Sequence, residues 1–483
     1  MHDYYIHPAE IAAANHYDGQ YRPQFHFTPK QGCIGDATGL IYYKGEYHLF
    51  HMFDAWELRR NEHKRWGHAV SKDLIYWEPM APILDTLVDN KPGSGSGVVD
   101  WNNSSGLRTG PEKTLVIFYT DYNRGSCIAL SNDKGRTWLR HEDNPILPGT
   151  ADIRDPYVFW YNPDSQWRMV RYENKGFAFY SSQNLTDWNY LSRIDGFYEC
   201  PDICELAVDG NAEEKKWVLI DGDGTYVLGM FDGEQFIPDS DKLRVDFGKN
   251  FYATQTWKRT HEGDEPLIQI AWMSYPQTPR LTWIGQMSFP CELNLRKFPE
   301  GVRLCRQPID EIKNLRLEEY ARRDIILQPG ENPLAGIAGD LFDIRAEFEL
   351  SGAKDFGKKQ PTPSAFGIVT RGEAIRYSVP DKAVSCLGGT APLEPMSNRI
   401  KLHILVDRSS IEVFGNDGRI SMSTVFFPNA NDTDLEIFTT GGEVYIVSLE
   451  VNRLEPIWLE ADARVGRPRH AASIERSPNF KAQ

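Results

Sequence analysis

The stretch Ser71-Lys-Asp-Leu-Ile-Tyr-Trp77 sets a polar turn directly before a tryptophan, and the chain repeats this arrangement twice. The repeats are Ser131-Asn-Asp-Lys-Gly-Arg-Thr-Trp138 and Ser182-Gln-Asn-Leu-Thr-Asp-Trp188, so the period is roughly 50 to 60 residues. A period of this size is typical of four-stranded β-propeller blades. We expect each motif to form the turn into an outer strand, with its tryptophan packing between blades. Chance recurrence in a chain with 13 tryptophans is the alternative interpretation.

The sequence around these motifs, from residue 15 to about 300, predicts one strand after another. Short runs rich in Tyr, Phe, Trp, Val and Ile are bounded by Gly, Asn, Asp and Pro, and almost no segment has a sustained helical period. This pattern indicates an all-β structure with about five blades. We place the propeller domain at residues 1–305.

A change of pattern near Pro308 marks the end of that domain. The proline suits the first position of a helix, and Ile309, Ile312 and Leu315 share one helical face. These features predict a linker helix at 306–325.

Strict alternation of apolar and polar residues then returns, most clearly at 402–407 and 410–414. Alternation is typical of sheets that are covered on one face, so we expect a β-sandwich at 326–457. The remaining residues, 458–483, are rich in arginine and have little to bury. They are predicted to form a tail that lies over the surface or is disordered.

Length and charge exclude several classes of protein. A chain of 483 residues predicts two domains, and a net charge of -15 argues against nucleic acid or an anionic membrane as a partner. No apolar run is long enough to predict a membrane span. The amino end lacks a basic segment followed by an apolar one, so we expect a cytoplasmic protein, or a secreted one if a leader has been removed.

The seven cysteines are spread along the chain, without metal-binding spacing or the density of a disulfide framework. Reduced thiols that fill the core are the expected state. We predict no metal and no cofactor.

Three carboxylates occupy equivalent places in the predicted blades. Asp36, Asp155 and Glu199 each stand just before or at the start of an apolar run that is followed by a turn and a second strand. The first strands of propeller blades converge on the axis, so these three acids are expected to meet in one funnel. Asp36 lies in Gly-Asp-Ala-Thr-Gly, and a simple turn former is the alternative interpretation for it.

Three acids in one funnel suit the hydrolysis of a glycosidic bond. Retaining enzymes use a nucleophilic carboxylate and a protonated acid, and a third acid can hold the sugar hydroxyls. Arg154 beside Asp155 favours an ionised Asp155. The flanking Tyr198 and Cys200 make Glu199 the better candidate for a raised pKa and proton donation.

The chain resembles glycoside hydrolase family 32, which includes invertases, inulinases, levanases and fructosyltransferases. Arg154-Asp155-Pro156 is similar to the family's Arg-Asp-Pro motif, and Glu199-Cys200-Pro201-Asp202 to its Glu-Cys-Pro motif. Further similar segments begin at Trp66, Trp283 and Val406, and the resemblance extends from about residue 20 to 457.

This resemblance implies a five-bladed β-propeller followed by a β-sandwich, acting on β-fructofuranosides with retention. It implies that Asp36 is the nucleophile, Asp155 the transition-state stabiliser and Glu199 the general acid/base. The implied substrate is a small carbohydrate, either sucrose or a fructo-oligosaccharide. The substrate-binding residues expected from the matched segments are Arg154, His51, Trp66, Ser94, Ser96 and Trp283.

The sequence departs from the family pattern around the expected sugar pocket. The first motif, Cys33 to Gly39, keeps only the acid and the last glycine of Trp-Met-Asn-Asp-Pro-Asn-Gly, so Gly35 replaces an asparagine. His51 replaces a glutamine, and Gly93 replaces the aromatic residue before Ser-Gly-Ser.

A β-fructofuranosidase that works through a fructosyl-enzyme intermediate is the leading hypothesis. Fructosyl transfer remains an alternative, since acceptor choice depends on loop shape and water access. A carbohydrate-binding protein with an altered, non-hydrolytic pocket is the alternative from another class. The sequence also leaves a homo-oligomer open.

Overall fold

The computed structural model describes residues 17–54, 65–84, 92–150, 152–258, 266–274, 281–350 and 363–458. These residues form a five-bladed β-propeller followed by a β-sandwich, which confirms the all-β fold. No helix among them is long and apolar enough to cross a membrane. The predicted tail, apart from Trp458, lies outside the described residues.

The first three blades are antiparallel sheets whose first strands lie next to one another around the axis. Blade 1 consists of β1 (Gly32–Tyr43), β2 (Glu46–Asp54), β3 (Arg65–Ser71) and β4 (Trp77–Ile83). Blade 2 consists of β5 (Pro92–Asp100), β6 (Thr114–Asp121), β7 (Gly125–Ser131), β8 (Leu139–Arg140) and β9 (Leu147–Pro148). Blade 3 consists of β10 (Ile153–Tyr161), a 3-10 turn (Asn162–Asp164), β11 (Gln166–Glu173), β12 (Gly176–Ser182) and β13 (Asn189–Asp195).

The last two blades complete the ring. Blade 4 consists of β14 (Asp202–Val208), β15 (Asn211–Ile220), β16 (Thr225–Phe231), β17 (Phe236–Pro238) and β18 (Leu243–Arg244). Blade 5 consists of β19 (Tyr252–Trp257), β20 (Leu267–Met273), β22 (Gln286–Met287), β23 (Cys291–Phe298) and β24 (Gly301–Pro308). The short strand β21 (Trp283–Ile284) pairs in parallel with β1, which joins the last blade to the first.

The three polar turns that precede a tryptophan adopt the same hydrogen-bonded form. The hydroxyl of Ser71 accepts a backbone N–H from three residues ahead at 2.8 Å, and that of Ser182 does so at 2.9 Å. In the second motif, one residue longer before its tryptophan, Ser131 accepts from four residues ahead at 2.8 Å. Each turn leads into the fourth strand of its blade, as predicted.

The tryptophans of these turns pack against aromatic residues of the neighbouring blade. The distances between ring centroids are 5.3 Å for Trp138 on Phe50, 6.1 Å for Trp188 on Phe118 and 6.1 Å for Trp77 on Trp257. The repeat in the sequence therefore marks the contacts between blades.

The second domain packs two antiparallel sheets face to face around an apolar core. One sheet consists of β25 (Arg316–Leu327), β26 (Phe342–Glu349), β31 (Arg399–Asp407), β32 (Ser410–Gly415), β33 (Ile420–Val425) and β35 (Val444–Leu454). The other consists of β27 (Ala365–Thr370), β28 (Glu373–Ser378), β29 (Ala383–Cys386), β30 (Gly389–Pro392) and β34 (Leu435–Thr440).

The linker helix predicted at 306–325 is wrong in length and type. It is a 3-10 helix, Asp310–Leu315, and the sandwich begins at the next residue. Ile309, Ile312 and Leu315 are all buried. Their spacing of three residues fits the three-residue turn of a 3-10 helix, and no apolar residue continues that series, so the helix ends there.

A buried ionic cluster joins the two domains. His26, at the start of the propeller, lies 2.8 Å from Asp407 through Nδ1 and 2.8 Å from Glu412 through Nε2. Burial by itself would lower the pKa of His26, but the two carboxylates outweigh it and raise that pKa to about 9. The segment 406–414 of the sandwich, one of those similar to the family, therefore supplies the two acids that bind His26 of the propeller.

Candidate active site

Asp36 lies on a β-bulge in the first strand of blade 1. Ile34 pairs with Phe53 and Ala37 with His51, so Gly35 and Asp36 together face a single residue of β2. A bulge of this kind redirects a side chain relative to the regular alternation of a strand. The half-buried Asp36 accepts a hydrogen bond from the Ser94 hydroxyl at 2.7 Å, which fixes one of its oxygens.

Asp155 lies on a second bulge, in the first strand of blade 3, and its φ is 58°. This left-handed conformation is unusual for a residue with a side chain and is held by its neighbours. The Asp155 N–H donates to the Thr120 hydroxyl at 2.8 Å, and its Oδ2 accepts from the Cys200 N–H at 3.1 Å. The side chain is therefore buried in a fixed orientation.

Glu199 lies just before the first strand of blade 4, where it and Cys200 have φ values of 39° and 47°. Its Oε2 accepts from Arg154 Nε at 3.0 Å and Nη2 at 2.9 Å, while its Oε1 accepts from the Tyr252 hydroxyl at 2.5 Å. Both oxygens of this half-buried carboxylate thus have a donor.

Cys200 and Arg154 show that the three acids share one site. The Cys200 sulfur lies 4.0 Å from Asp36 Oδ2 and 3.8 Å from Asp155 Oδ2. Arg154 lies 3.6 Å from Asp155 and 2.9 Å from Glu199. The structure therefore brings together side chains from three different blades.

The expected electrostatic division between Asp155 and Glu199 needs correction. The Arg154 guanidinium lies closer to Glu199 than to Asp155. Burial, followed by the negative charge of Glu199, raises the pKa of Asp155 to about 7, although Arg154 acts in the opposite direction. A position next to an arginine in sequence did not reveal which carboxylate the arginine binds.

The hydroxyls of Ser94 and Ser96 both form hydrogen bonds to neighbouring blades of the propeller. Ser94 donates to Asp36, as described above. Ser96 is buried, donates to the Pro156 carbonyl at 2.9 Å and accepts from the Val158 N–H at 2.9 Å. The Ser96 hydroxyl therefore ties blade 2 to blade 3, and its direct contact with substrate stays a prediction.

The two tryptophans expected to contact the sugar are core residues. Trp66 is fully buried, and its indole N–H donates to the Gly93 carbonyl at 3.1 Å. Trp283 is also buried, with the Arg22 guanidinium 4.5 Å from its ring centroid. Neither presents an open ring face to solvent.

His51 is likewise enclosed. Its Nδ1 lies 3.2 Å from the Met52 carbonyl, and its ring packs at 5.4 Å on Phe27. A Cβ at Gly67 would lie 2.2 Å from this ring, so the histidine fits only because residue 67 is glycine. Burial lowers the pKa of His51 to about 4, so the ring is neutral at physiological pH.

Two tyrosines of the site were missed in the sequence. Tyr252 is the partner of Glu199, and Tyr122 occupies the space beside Gly93, where an added Cβ would lie 2.9 Å from its ring. The missing aromatic residue at position 93 was the one sign in the sequence that another ring, here Tyr122, occupies this space. The Tyr122 ring comes from the turn between β6 and β7 of the same blade.

Replacing Tyr252 with phenylalanine tests its contact with Glu199. We expect kcat/KM to fall by about 10- to 100-fold, because a hydrogen bond to a charged group is worth roughly 1.5–3 kcal/mol. Steady-state kinetics on a fructoside measure this loss, and Tyr190→Phe on the outer strand of blade 3 is the control. Equal rates for Tyr252→Phe and wild type would show that the contact has no catalytic role.

Replacing Asp155 with asparagine tests the cost of its buried charge. A pKa that rises from 3.8 to about 7 on folding means that the charged form is disfavoured in the native state. Stability is therefore lost as the pH rises from about 4 to 7, and Asp155→Asn should remove that loss. We expect the variant to be more stable at pH 8 by up to about 4 kcal/mol and nearly equal at pH 4, although less active. Urea unfolding at both pH values measures the difference, and an equal effect at both would contradict the assignment.

A propeller whose axial funnel holds three carboxylates, an arginine and a tyrosine defines a glycoside hydrolase. Two acids can act on opposite sides of a glycosidic bond while the third stabilises the sugar. The chain belongs to glycosyl hydrolases family 32, since the model of the family's N-terminal domain matches residues 26–308 and that of its C-terminal domain matches residues 311–453.

Curated relatives and solved structures agree with this family. The chain is 38% identical to a levanase of Bacillus subtilis, over 93% of this chain and 73% of the relative. It is 29% identical to an extracellular exo-inulinase of Aspergillus niger, over 93% and 97%.

Among solved structures, the exo-inulinase of Aspergillus awamori is similar with a TM-score of 0.83 and 26% identity, covering 92% of this chain and 100% of that one. A β-fructofuranosidase of Schwanniomyces occidentalis in complex with fructosyl-erythritol has a TM-score of 0.80 and 25% identity, covering 90% and 98%.

Proposed function

We propose that this protein is a retaining β-fructofuranosidase that releases terminal β-linked fructose from fructan chains and from sucrose. The observation that carries the proposal is the meeting of Asp36, Asp155 and Glu199 around Cys200 and Arg154. The similarity to a levanase and an exo-inulinase supports a fructan as the substrate.

In the first step, Asp36 attacks the anomeric carbon of the terminal fructose. The bond from that carbon to the leaving oxygen breaks while Glu199 donates a proton to the oxygen, and an ester forms on Asp36. The Ser94 hydroxyl holds the attacking carboxylate in place. The ionised form of Asp155 accepts hydrogen bonds from sugar hydroxyls as positive charge develops on the ring.

In the second step, water attacks the same carbon and releases Asp36. Glu199, now a carboxylate, accepts the proton from water. In the free enzyme Arg154 and Tyr252 donate to the two oxygens of Glu199, which sets the orientation of this side chain toward the sugar site.

A product assay tests this function. Purified protein is incubated with levan, inulin and sucrose, and the released sugars are separated by chromatography. We expect free fructose from the chain ends, and addition of methanol should give methyl β-fructofuranoside, because retention preserves the β-configuration. Oligosaccharides longer than the substrate would indicate fructosyl transfer. No turnover of any fructoside, together with unchanged sugar binding by Asp36→Asn, would indicate a binding protein.

A further inference from the structure

A cavity of about 720 Å³ lies along the propeller axis beyond the three acids. The first strands of all five blades line it, through residues that follow the catalytic ones, such as 40–42, 157–161 and 255–258. Strands advance about 3.3 Å per residue, so these residues lead away from the acids toward the opposite face of the propeller. The cavity is therefore distinct from the catalytic funnel.

Aromatic side chains form much of the wall of this axial cavity. Tyr157, Phe159, Trp160, Tyr161 and Trp217 all line it. The Lys258 ammonium lies 5.0 Å from the Tyr157 ring and 5.2 Å from the Phe159 ring. A cavity with aromatic walls and a few polar groups, within the usual range of about 300–1,000 Å³, is typical of an organic ligand site.

The cavity is lined by equal numbers of acidic and basic side chains. They are three acids and three lysines, namely Glu205, Glu214, Asp239, Lys215, Lys216 and Lys258, in a chain whose net charge is -15. Lys215 pairs with Glu205 at 3.7 Å, Lys216 pairs with Asp239, and Glu214 pairs at 2.6 Å with Lys297 outside the cavity. The Lys258 ammonium donates to the Ile203 carbonyl at 3.2 Å, and the Asp202 carboxylate supplies the negative charge that acts on it. A neutral lining of this kind suits a neutral ligand rather than an ionic one, since an ion would need an uncompensated counter-charge.

We propose that the axial cavity binds a short internal segment of a neutral fructan chain. This inference rests on the proposed function and deepens it, because it adds a second, non-catalytic contact with the same polymer. Sugar rings have apolar C–H faces that pack on aromatic side chains and hydroxyls that bond to the polar groups between them. A polymer held here would keep the enzyme on its substrate between cleavage events.

Affinity gel electrophoresis in levan tests this proposal. The Glu199→Gln protein is used so that the polymer is not consumed, and excess sucrose occupies the catalytic site. We expect levan to retard this protein. Trp160→Ala in the same background should weaken retention by about tenfold through loss of an aromatic wall. Met230→Glu, at a residue that lines the cavity and is 58% exposed, should weaken retention through an unpaired charge without affecting folding.

Controls separate the cavity from the rest of the surface. Tyr190→Ala removes an aromatic residue that is 59% exposed on the outer strand of blade 3, and retention should not change. Trp160→Ala and Met230→Glu, made with Glu199 intact, should cleave sucrose at the wild-type rate. Unchanged retention in both cavity variants would overturn the proposal, as would equal retardation by dextran. Retention does not depend on turnover, so failure of the proposed activity would be seen separately.

Discussion

Asp36→Asn is expected to lower kcat on levan by about 10⁴-fold or more, because an amide cannot form the ester with the sugar. Removal of the nucleophile typically costs this much in enzymes with a covalent intermediate. The asparagine can still accept the hydrogen bond from Ser94, so the bulge and the fold should persist. We therefore expect a loss in kcat with an almost unchanged melting temperature.

Trapping the fructosyl ester should identify the residue that attacks the sugar. Glu199→Gln lacks the proton donor and should lose about 10²- to 10⁴-fold on levan. A fructosyl donor with a good leaving group, such as fructosyl fluoride, needs no proton and should still react with Asp36 in this variant. The ester should then accumulate, because no base activates water. Mass spectrometry of the digested protein should find one fructosyl unit on the peptide that contains Asp36.

A matched control replaces an aspartate outside the funnel. The side chain of Asp195 is 81% exposed at the end of the outer strand of blade 3, and Asp195→Asn should retain wild-type kinetics. A fructosyl unit on any other peptide, or an Asp36→Asn variant with more than about a hundredth of the wild-type kcat, would assign the nucleophile elsewhere.

The blades and the three acids could be predicted because their signals are local in sequence. A polar turn before Trp138 or Trp188 contains its own hydrogen bonds, so the motif survives as a readable pattern. Asp155 and Glu199 likewise stand in short motifs, Arg154-Asp155-Pro156 and Glu199-Cys200-Pro201-Asp202, that can be recognised in the sequence. Convergence of the first strands then follows from the propeller itself.

The contacts between blades could not be predicted, because they join residues far apart in sequence. Arg154 stands beside Asp155 in the chain but binds Glu199, which belongs to the next blade. Tyr252 reaches Glu199 from blade 5. Trp66 is a residue type that often stacks on sugar rings, yet its indole N–H donates to the Gly93 carbonyl. The residue type shows which hydrogen bonds a side chain can form, and the fold determines which partner it forms them with.

The surroundings of Gly93 follow the same rule. Gly93 appears in the sequence as the loss of an aromatic group, whereas the structure shows the Tyr122 ring beside it. A larger residue at position 93 would collide with that ring, so the two positions are coupled.

The ionic cluster between the domains gives the largest expected effect on stability. His26→Gln leaves Asp407 and Glu412 buried without their shared cation, and breaking a buried charge pair in this way costs about 3–5 kcal/mol. We expect the urea midpoint to fall strongly at pH 6. His141→Gln, on a partly exposed loop of blade 2, is the matched control and should stay within about 0.5 kcal/mol of wild type.

The pH dependence shows whether charge is the reason. The pKa of His26 rises from 6.5 to about 9 on folding, so its contribution is fully present below pH 6.5 and is lost as the pH rises through 9. This shift corresponds to about 3 kcal/mol, which agrees with the loss expected from the substitution. The stability difference between wild type and His26→Gln should therefore shrink between pH 6 and pH 10. A difference of the same size at both pH values would mean that His26 joins the domains by packing alone, with no charge on its ring.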